Sequence, residues 1–205
     1  MNDEAAGRGG SNQPTRLVRA DAQRNLDALL EAAKAVFAEA GVDAPVRDIA
    51  ERAGVGVATV YRHFPQRAQL IAAVFRREMD ACIELAPVLA ATHEPSEALS
   101  LWLQRFAAFI ATKRGLAAAL YSGDPVYEGL PAHFETRLVP AMRMLLTAAI
   151  DAGQIRDVVD PDELLNAVAR LSVSAPGDTS GNADRMVSLL VDGLCFGAPA
   201  GKGLP

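Results

Sequence analysis

Four groups able to donate hydrogen bonds stand at close spacing in VATVYRHF, residues 57–64: the Thr59 hydroxyl, the Tyr61 phenol, the Arg62 guanidinium and the His63 imidazole. Together they suit a nucleic-acid groove. A guanidinium can donate two hydrogen bonds to a guanine edge, a threonine can meet a base edge or a thymine methyl, and Val57 or Ala58 can add apolar contact to that methyl. Tyr61 and His63 are better matched to phosphate oxygens, which position a protein on a duplex without reading its sequence.

Such groups work only when something holds them at a fixed depth. Pro65 has no amide hydrogen and biases its predecessor away from helical ψ, so a helix opening near Val57 runs to Phe64 and is barely two turns long. A helix this short needs tertiary anchors. Val60 and Phe64, spaced i and i+4, supply them, which leaves Thr59, Arg62 and His63 pointing away and Tyr61 on the flank. Upstream, Val46, Ile49, Ala50 and Ala53 recur at i, i+3, i+4 and i+7 and form one buried helical face, with Arg47, Asp48 and Glu51 toward water. Gly54 follows where a chain leaving a helix needs positive φ. The run therefore reads as helix, glycine turn, helix, and a B-form major groove about 12 Å wide admits one such helix.

The run PVRDIAERAGVGVATVYRHFP resembles the helix-turn-helix of the TetR family of transcriptional regulators. The similarity extends over roughly residues 24–78 and takes in an upstream LDALLEAAKAVFAEAG and a downstream QRAQLIAAVFRRE. The resemblance implies a three-helix DNA-binding head joined by a fourth helix to a larger helical body that dimerises and binds a small-molecule inducer. Most members of the family repress. It also implies that Tyr61 and His63 hold phosphates, that Arg47 approaches the DNA backbone, and that Val57, Ala58, Thr59 and Arg62 face bases. One departure is Gly56, where many relatives carry serine. Glycine at an N-cap costs only roughly a few tenths of a kcal/mol relative to serine, so the fold survives while one phosphate contact is put in question. The preceding helix lacks the usual threonine cap, and Pro45 is placed at its first helical position.

A chain of 205 residues with 50% hydrophobic and 22% charged residues can bury a substantial core. No uninterrupted apolar run of about 18 residues occurs, and the N-terminus lacks the order of a signal peptide, so a cytoplasmic protein without a membrane span is expected. Cys82 and Cys195 lie far apart without metal-like spacing, so neither a metal site nor a disulfide framework is expected, and no cofactor. The net charge is −5. Residues 14–80 carry ten basic against nine acidic side chains, and residues 81–205 nine against fourteen, so the acid lies in the body. DNA affinity must then rest on the local placement of Arg16, Arg19, Arg24, Arg47, Arg62 and Arg67. An enzyme is not expected: His63, His93 and His133 are far apart, and no HExxH, GxSxG, P-loop or CxxC occurs. A helical adaptor whose head no longer binds DNA remains the alternative, because the head is barely basic.

Hydrophobic period and breakers divide the chain into an arm (1–20), a head (21–81), a body (82–197) and a tail (198–205). The arm is expected to be flexible, with Arg16 and Arg19 either along DNA or merely solvated. Leu26, Leu29, Leu30, Ala33 and Phe37 form the stripe of a support helix ending at Gly41. Residues 66–85 form a connecting helix with Leu70, Val74 and Ile71 or Phe75 inward and Arg76, Arg77, Glu78 and Asp80 outward, broken by Pro87 and THEPSEA. Ser96 and Glu97 open a helix carrying Leu99, Leu103, Phe106, Ala107 and Ile110, flanked by Trp102 and Phe109. RGLAAALYSG is a short segment and GDPVYEGLP a loop. A long helix over 132–152 shows Leu138, Met142, Leu145, Ala149 and Ala152, ending at Gly153. Asp160 caps a helix opening with Pro161, Asp162 and Glu163. After SAPGDTSGN, residues 183–196 form the last helix, with Met186, Leu189, Leu190, Gly193 and Leu194 as its stripe. Strand alternation is absent, so the fold is all-α.

The body's aromatic residues suggest a ligand pocket of Trp102, Phe106, Phe109, Tyr121, His133 and Met142, although stripes at helical spacing serve equally as ordinary core. By the resemblance, the helices over 132–152 and 183–196 pair with their symmetry mates in a homodimer. Their apolar faces would serve an intramolecular core just as well.

Overall fold

In the computed structural model, which describes residues 13–111, 123–172 and 182–196, every regular element is helical and no strand occurs among the described residues. The head contains α1 (Gln13–Ala40), α2 (Val46–Ala53) and α3 (Val57–His63), and α4 (Arg67–Thr92) leaves it for the body. There, α5 (Pro95–Ala111) is followed by a 3-10 turn at Pro125–Tyr127. Next, α6 (Gly129–His133) continues through one wide π-type turn, Phe134–Leu138, into α7 (Val139–Asp151), and the chain closes with α8 (Pro161–Leu171) and α9 (Asn182–Cys195). None of the described helices is long and apolar enough to cross a membrane.

Two packing centres organise these elements. In the head, α1 packs on α2 and α4, and α2 on α3. In the body, α5 is the hub, touching α4, α7, α8 and α9. Its expected stripe is buried, and so are Trp102 and Phe109, because four surrounding helices cover most of its circumference and leave only a narrow face, from Glu97 to Ala108, toward solvent. Leu29, Leu30, Ala33 and Phe37 of the support helix are likewise buried, as are Leu138, Met142, Leu145 and Ala149 of the long helix.

Local signals set several boundaries as expected. Gly54 takes φ 67°, and its amide reaches back to the last turn of α2, a left-handed cap that a side chain would strain. The Asp160 carboxylate accepts from the Asp162 amide at 2.9 Å and Glu163 answers the Asp160 amide at 3.3 Å, a reciprocal capping box behind Pro161.

Other expectations are corrected. The main chain is helical from Gln13, so residues 13–20 belong to α1 and not to a flexible arm. Pro45 is the N-cap of α2, with ψ 136°, and Val46 is its first helical residue. Helix α4 does not break at Pro87 but runs on to Thr92. An interior proline costs about 3 kcal/mol; here it sits on the exposed side, while buried Ala86 and Leu89 hold the helix down. GDPVYEGLP is not a plain loop, since Pro125–Tyr127 and Gly129–His133 are helical turns. Ala152 is exposed just past the end of α7. In α9 the inward residues are Val187, Val191 and Leu194, whereas Leu189 and Gly193 face outward. The side chains of Arg16 and Arg19, the segments RGLAAALYSG (bar Gly123) and SAPGDTSGN (bar its last main-chain atoms at Asn182) and the tail 198–205 lie outside the described residues.

Candidate nucleic-acid interface

Helix α3 is seated by few contacts. Val60 is buried and Phe64 half-buried behind it as the C-cap, its amide donating to the Val60 carbonyl at 2.8 Å. Burying a valine contributes about 1.5–3 kcal/mol toward seating these seven residues. Gly56 is the extended N-cap with no side-chain acceptor, and its carbonyl accepts from the Thr59 amide at 2.8 Å.

This seating leaves most of the α3 surface exposed. Val57, Ala58, Tyr61, Arg62 and His63 are exposed and Thr59 half-buried, with Arg47 exposed on α2. The Arg62 guanidinium donates to the Thr59 hydroxyl at 3.2 Å, so the two base-facing candidates are joined on one side of the helix. All seven residues expected at DNA therefore stand on the helix-turn-helix, six of them exposed and Thr59 half-buried.

Arg67 does not join them. Its Nε donates to the Val42 carbonyl at 2.7 Å, and its guanidinium also meets the Ala44 carbonyl. It fastens the α1–α2 turn to the start of α4, which fixes the angle at which α2 and α3 leave the bundle. These partners lie more than 20 residues away along the chain, and no local pattern announces them.

The charged face expected on α4 is corrected at Glu78, which is buried, whereas Arg76 is exposed as expected and Arg77 and Asp80 are half-buried in contacts with other helices. Arg77 donates to the Asp27 carbonyl at 2.9 Å and its carboxylate at 3.2 Å, and Asp80 bonds the His133 Nε2 at 2.7 Å. Glu78 is buried between Lys34, at 3.1 Å, and Arg105, at 2.7 Å. A signal for this was present: Ile71, Phe75, Glu78 and Cys82 fall on one helical stripe, and every member is buried.

Of the residues expected around a ligand, Trp102, Phe106, Phe109 and Met142 converge in the body core, all fully buried. Trp102 and Phe106 stack with centroids 5.7 Å apart, Phe109 lies tilted against both Phe106 and Phe75, and the Trp102 indole donates to the Cys82 carbonyl at 2.7 Å. His133 is engaged by Asp80 on α4. Tyr121 lies outside the described residues.

Comparison with known proteins agrees with this geometry. Residues 29–74 match the family of bacterial regulatory proteins named for tetR, and residues 94–196 match the C-terminal domain of SbtR-like transcriptional regulators. The TetR transcriptional regulator SCO0520 from Streptomyces coelicolor is 36% identical over 82% of this chain and 97% of its own, with a TM-score of 0.70. A TetR regulatory protein from Mycobacterium vanbaalenii is 33% identical over 87% of this chain and 99% of its own, with a TM-score of 0.66. FadR from Bacillus subtilis, solved in complex with stearoyl-CoA, is 19% identical over 84% of this chain and 98% of its own, and with a TM-score of 0.59 it shares the fold. No curated protein sequence matches. The family and fold are those of transcriptional regulators and not of enzymes. The chain belongs to the TetR family and is a DNA-binding transcriptional regulator.

Proposed function

We propose that the protein is a cytoplasmic repressor that binds a palindromic operator as a homodimer and leaves it when a small molecule enters the body. The observation that carries this reading is the exposed set on α3, polar ends outward over the Val60 anchor. Arg62 and Thr59 read base edges with Val57 and Ala58 beside them, and Tyr61, His63 and Arg47 hold phosphates. The head (21–81) acts on DNA and the body (82–197) dimerises and takes the ligand. Support for a dimer comes from apolar side chains left exposed on the outer faces of α7 and α9, among them Met144 and Leu189. The inducer is largely apolar, because Trp102, Phe106, Phe109 and Met142 offer it almost no polar surface, and Tyr121 and His133 are the polar contacts proposed for it. An apolar ligand is in keeping with FadR from Bacillus subtilis, which shares the fold and was solved in complex with stearoyl-CoA.

The deciding experiment is selection of bound duplexes from random DNA by purified full-length protein. Two inverted half-sites with centres about 34 Å apart or more are expected. Recovery of sequences no better bound than competitor DNA would refute the reading. Inducer candidates are then scored by operator affinity, since only a ligand that distinguishes the two arrangements can shift it.

A further inference from the structure

Between Arg77 and Asp80, helix α4 makes polar contacts with three other helices. Arg77 reaches Asp27 on α1, Glu78 reaches both Lys34 on α1 and Arg105 on α5, and Asp80 reaches His133 on α6. Successive residues turn about 100° around a helix, so positions 77, 78 and 80 look in three directions, and each finds a neighbouring helix. Glu78 differs from the other two by being buried; among the described residues it is the one buried acidic side chain. Its two oxygens are divided: Oε1 faces Lys34 Nζ at 3.1 Å and Oε2 faces the Arg105 guanidinium at 2.7 Å. One partner belongs to the head and the other to the body.

We propose that Glu78 is the positioning residue that sets the tilt of the head on the body, and through it the spacing of the two recognition helices; this rests on the dimeric operator reading above. A half-exposed pair such as Arg77–Asp27 is screened and tolerates displacement. A buried carboxylate does not, because moving away from either partner gives up a charge-assisted contact that water cannot replace in a medium of low polarity. Apolar contacts along α1, α4 and α5 favour burial but not one angle, since side chains of similar volume can repack as helices slide. Two short ion pairs on opposite oxygens of one carboxylate are satisfied together in a single arrangement of the three helices. Any tilt of α4 against α1 or α5 lengthens one of them.

The test uses full-length dimer and duplexes built from the selected half-site, with the spacer changed one base pair at a time, beside a duplex carrying one half-site. Affinities are read by fluorescence anisotropy for wild type, for Glu78→Gln, and for the combined Lys34→Met, Glu78→Leu, Arg105→Met protein. That last variant leaves no buried charge unpaired, so it serves if Glu78→Gln does not fold. Arg105→Lys retains the charge and should keep the wild-type profile. Wild type should prefer one spacing by at least about tenfold, and the uncharged variants should keep half-site affinity within about twofold while the preference falls below about threefold. Variants that retain the sharp preference, or that lose half-site and two-site affinity equally, would overturn the role of Glu78 and leave the dimeric reading standing. A wild type indifferent to spacing would overturn both.

Discussion

Arg62 is exposed, yet its guanidinium is steered by the Thr59 hydroxyl one turn back. That contact orders a flexible side chain before DNA arrives and so reduces the entropy lost on binding. Replacing Arg62 by alanine should cost about 1–3 kcal/mol on the selected operator and relax preference at one base position, whereas Tyr61→Phe or His63→Ala should weaken all duplexes alike. Binding to a set of single-base operator variants separates the two patterns, and an Arg62 variant with undiminished preference would remove it from base reading. Cys82 responds to a different variable. Burial in the core pushes its thiol from the ordinary 9.0 up to about 11, with Glu78 adding to the rise and Arg105 and Lys34 opposing it. The folded protein thus keeps a proton that the unfolded chain gives up near pH 9. Stability from this group is intact below pH 9 and is lost as pH climbs through about 11, by roughly 2–3 kcal/mol in all. Urea unfolding at pH 7, 8.5 and 10 should show the advantage of wild type over Cys82→Ala constant at the first two values and smaller at the third. Single residues were legible where their neighbours are local, as with the outward set on α3. Arg67 was not, because an exposed arginine beside a DNA-reading helix and one bound to two distant carbonyls look the same in sequence.

The same division between near and far governs the elements. The cap at Gly54 and the box at Asp160 could be read directly, since cap chemistry involves residues within four positions of each other. Pro87 misled for the complementary reason: its penalty is local, but what outweighs it is packing of α4 on α5 and on the α6–α7 segment. Glu78 shows that periodicity held more information than residue type did, because its place on a buried stripe was visible while its charge argued for solvent. At the start of α3 the missing cap yields a prediction. Gly56 has φ −72° and ψ 147°, and a Cβ there would meet nothing within 4 Å, so serine fits without strain. Gly56→Ser should raise stability by only roughly a few tenths of a kcal/mol. Its hydroxyl should strengthen binding to specific and nonspecific duplexes alike by about 0.5–1.5 kcal/mol, since a phosphate contact carries no sequence information. Equal anisotropy curves for the two proteins would show that this end of α3 does not approach the DNA backbone.

At the scale of the molecule, a chain of net charge −5 approaches a polyanion with no long-range attraction to help it. On the dimeric reading proposed above, two heads acting together compensate, because the second half-site is bound at the high effective concentration created by the first. That reading makes the dimer a requirement for affinity. Helix α9 is where its surface can be argued. Its apolar residues are too many for one face: Val187, Val191 and Leu194 turn inward, while Leu189, 62% exposed, and Phe196, 83% exposed just beyond the helix, stand on the other side with exposed Gly193 between them. The stripe expected from sequence mixed these two faces, since periodicity cannot separate surface buried within a chain from surface awaiting a second copy. In a two-fold interface any substitution is present twice and near its own copy. Leu189→Glu should thus place two carboxylates in a desolvating contact, raise the dimer dissociation constant by about 100-fold or more, and leave each subunit folded because the inward residues are untouched. Sedimentation should show monomers with unaltered helical circular dichroism. Two-site operator affinity should fall toward that of a single half-site. A Leu189→Glu protein that still sediments as a dimer would move the interface to another face.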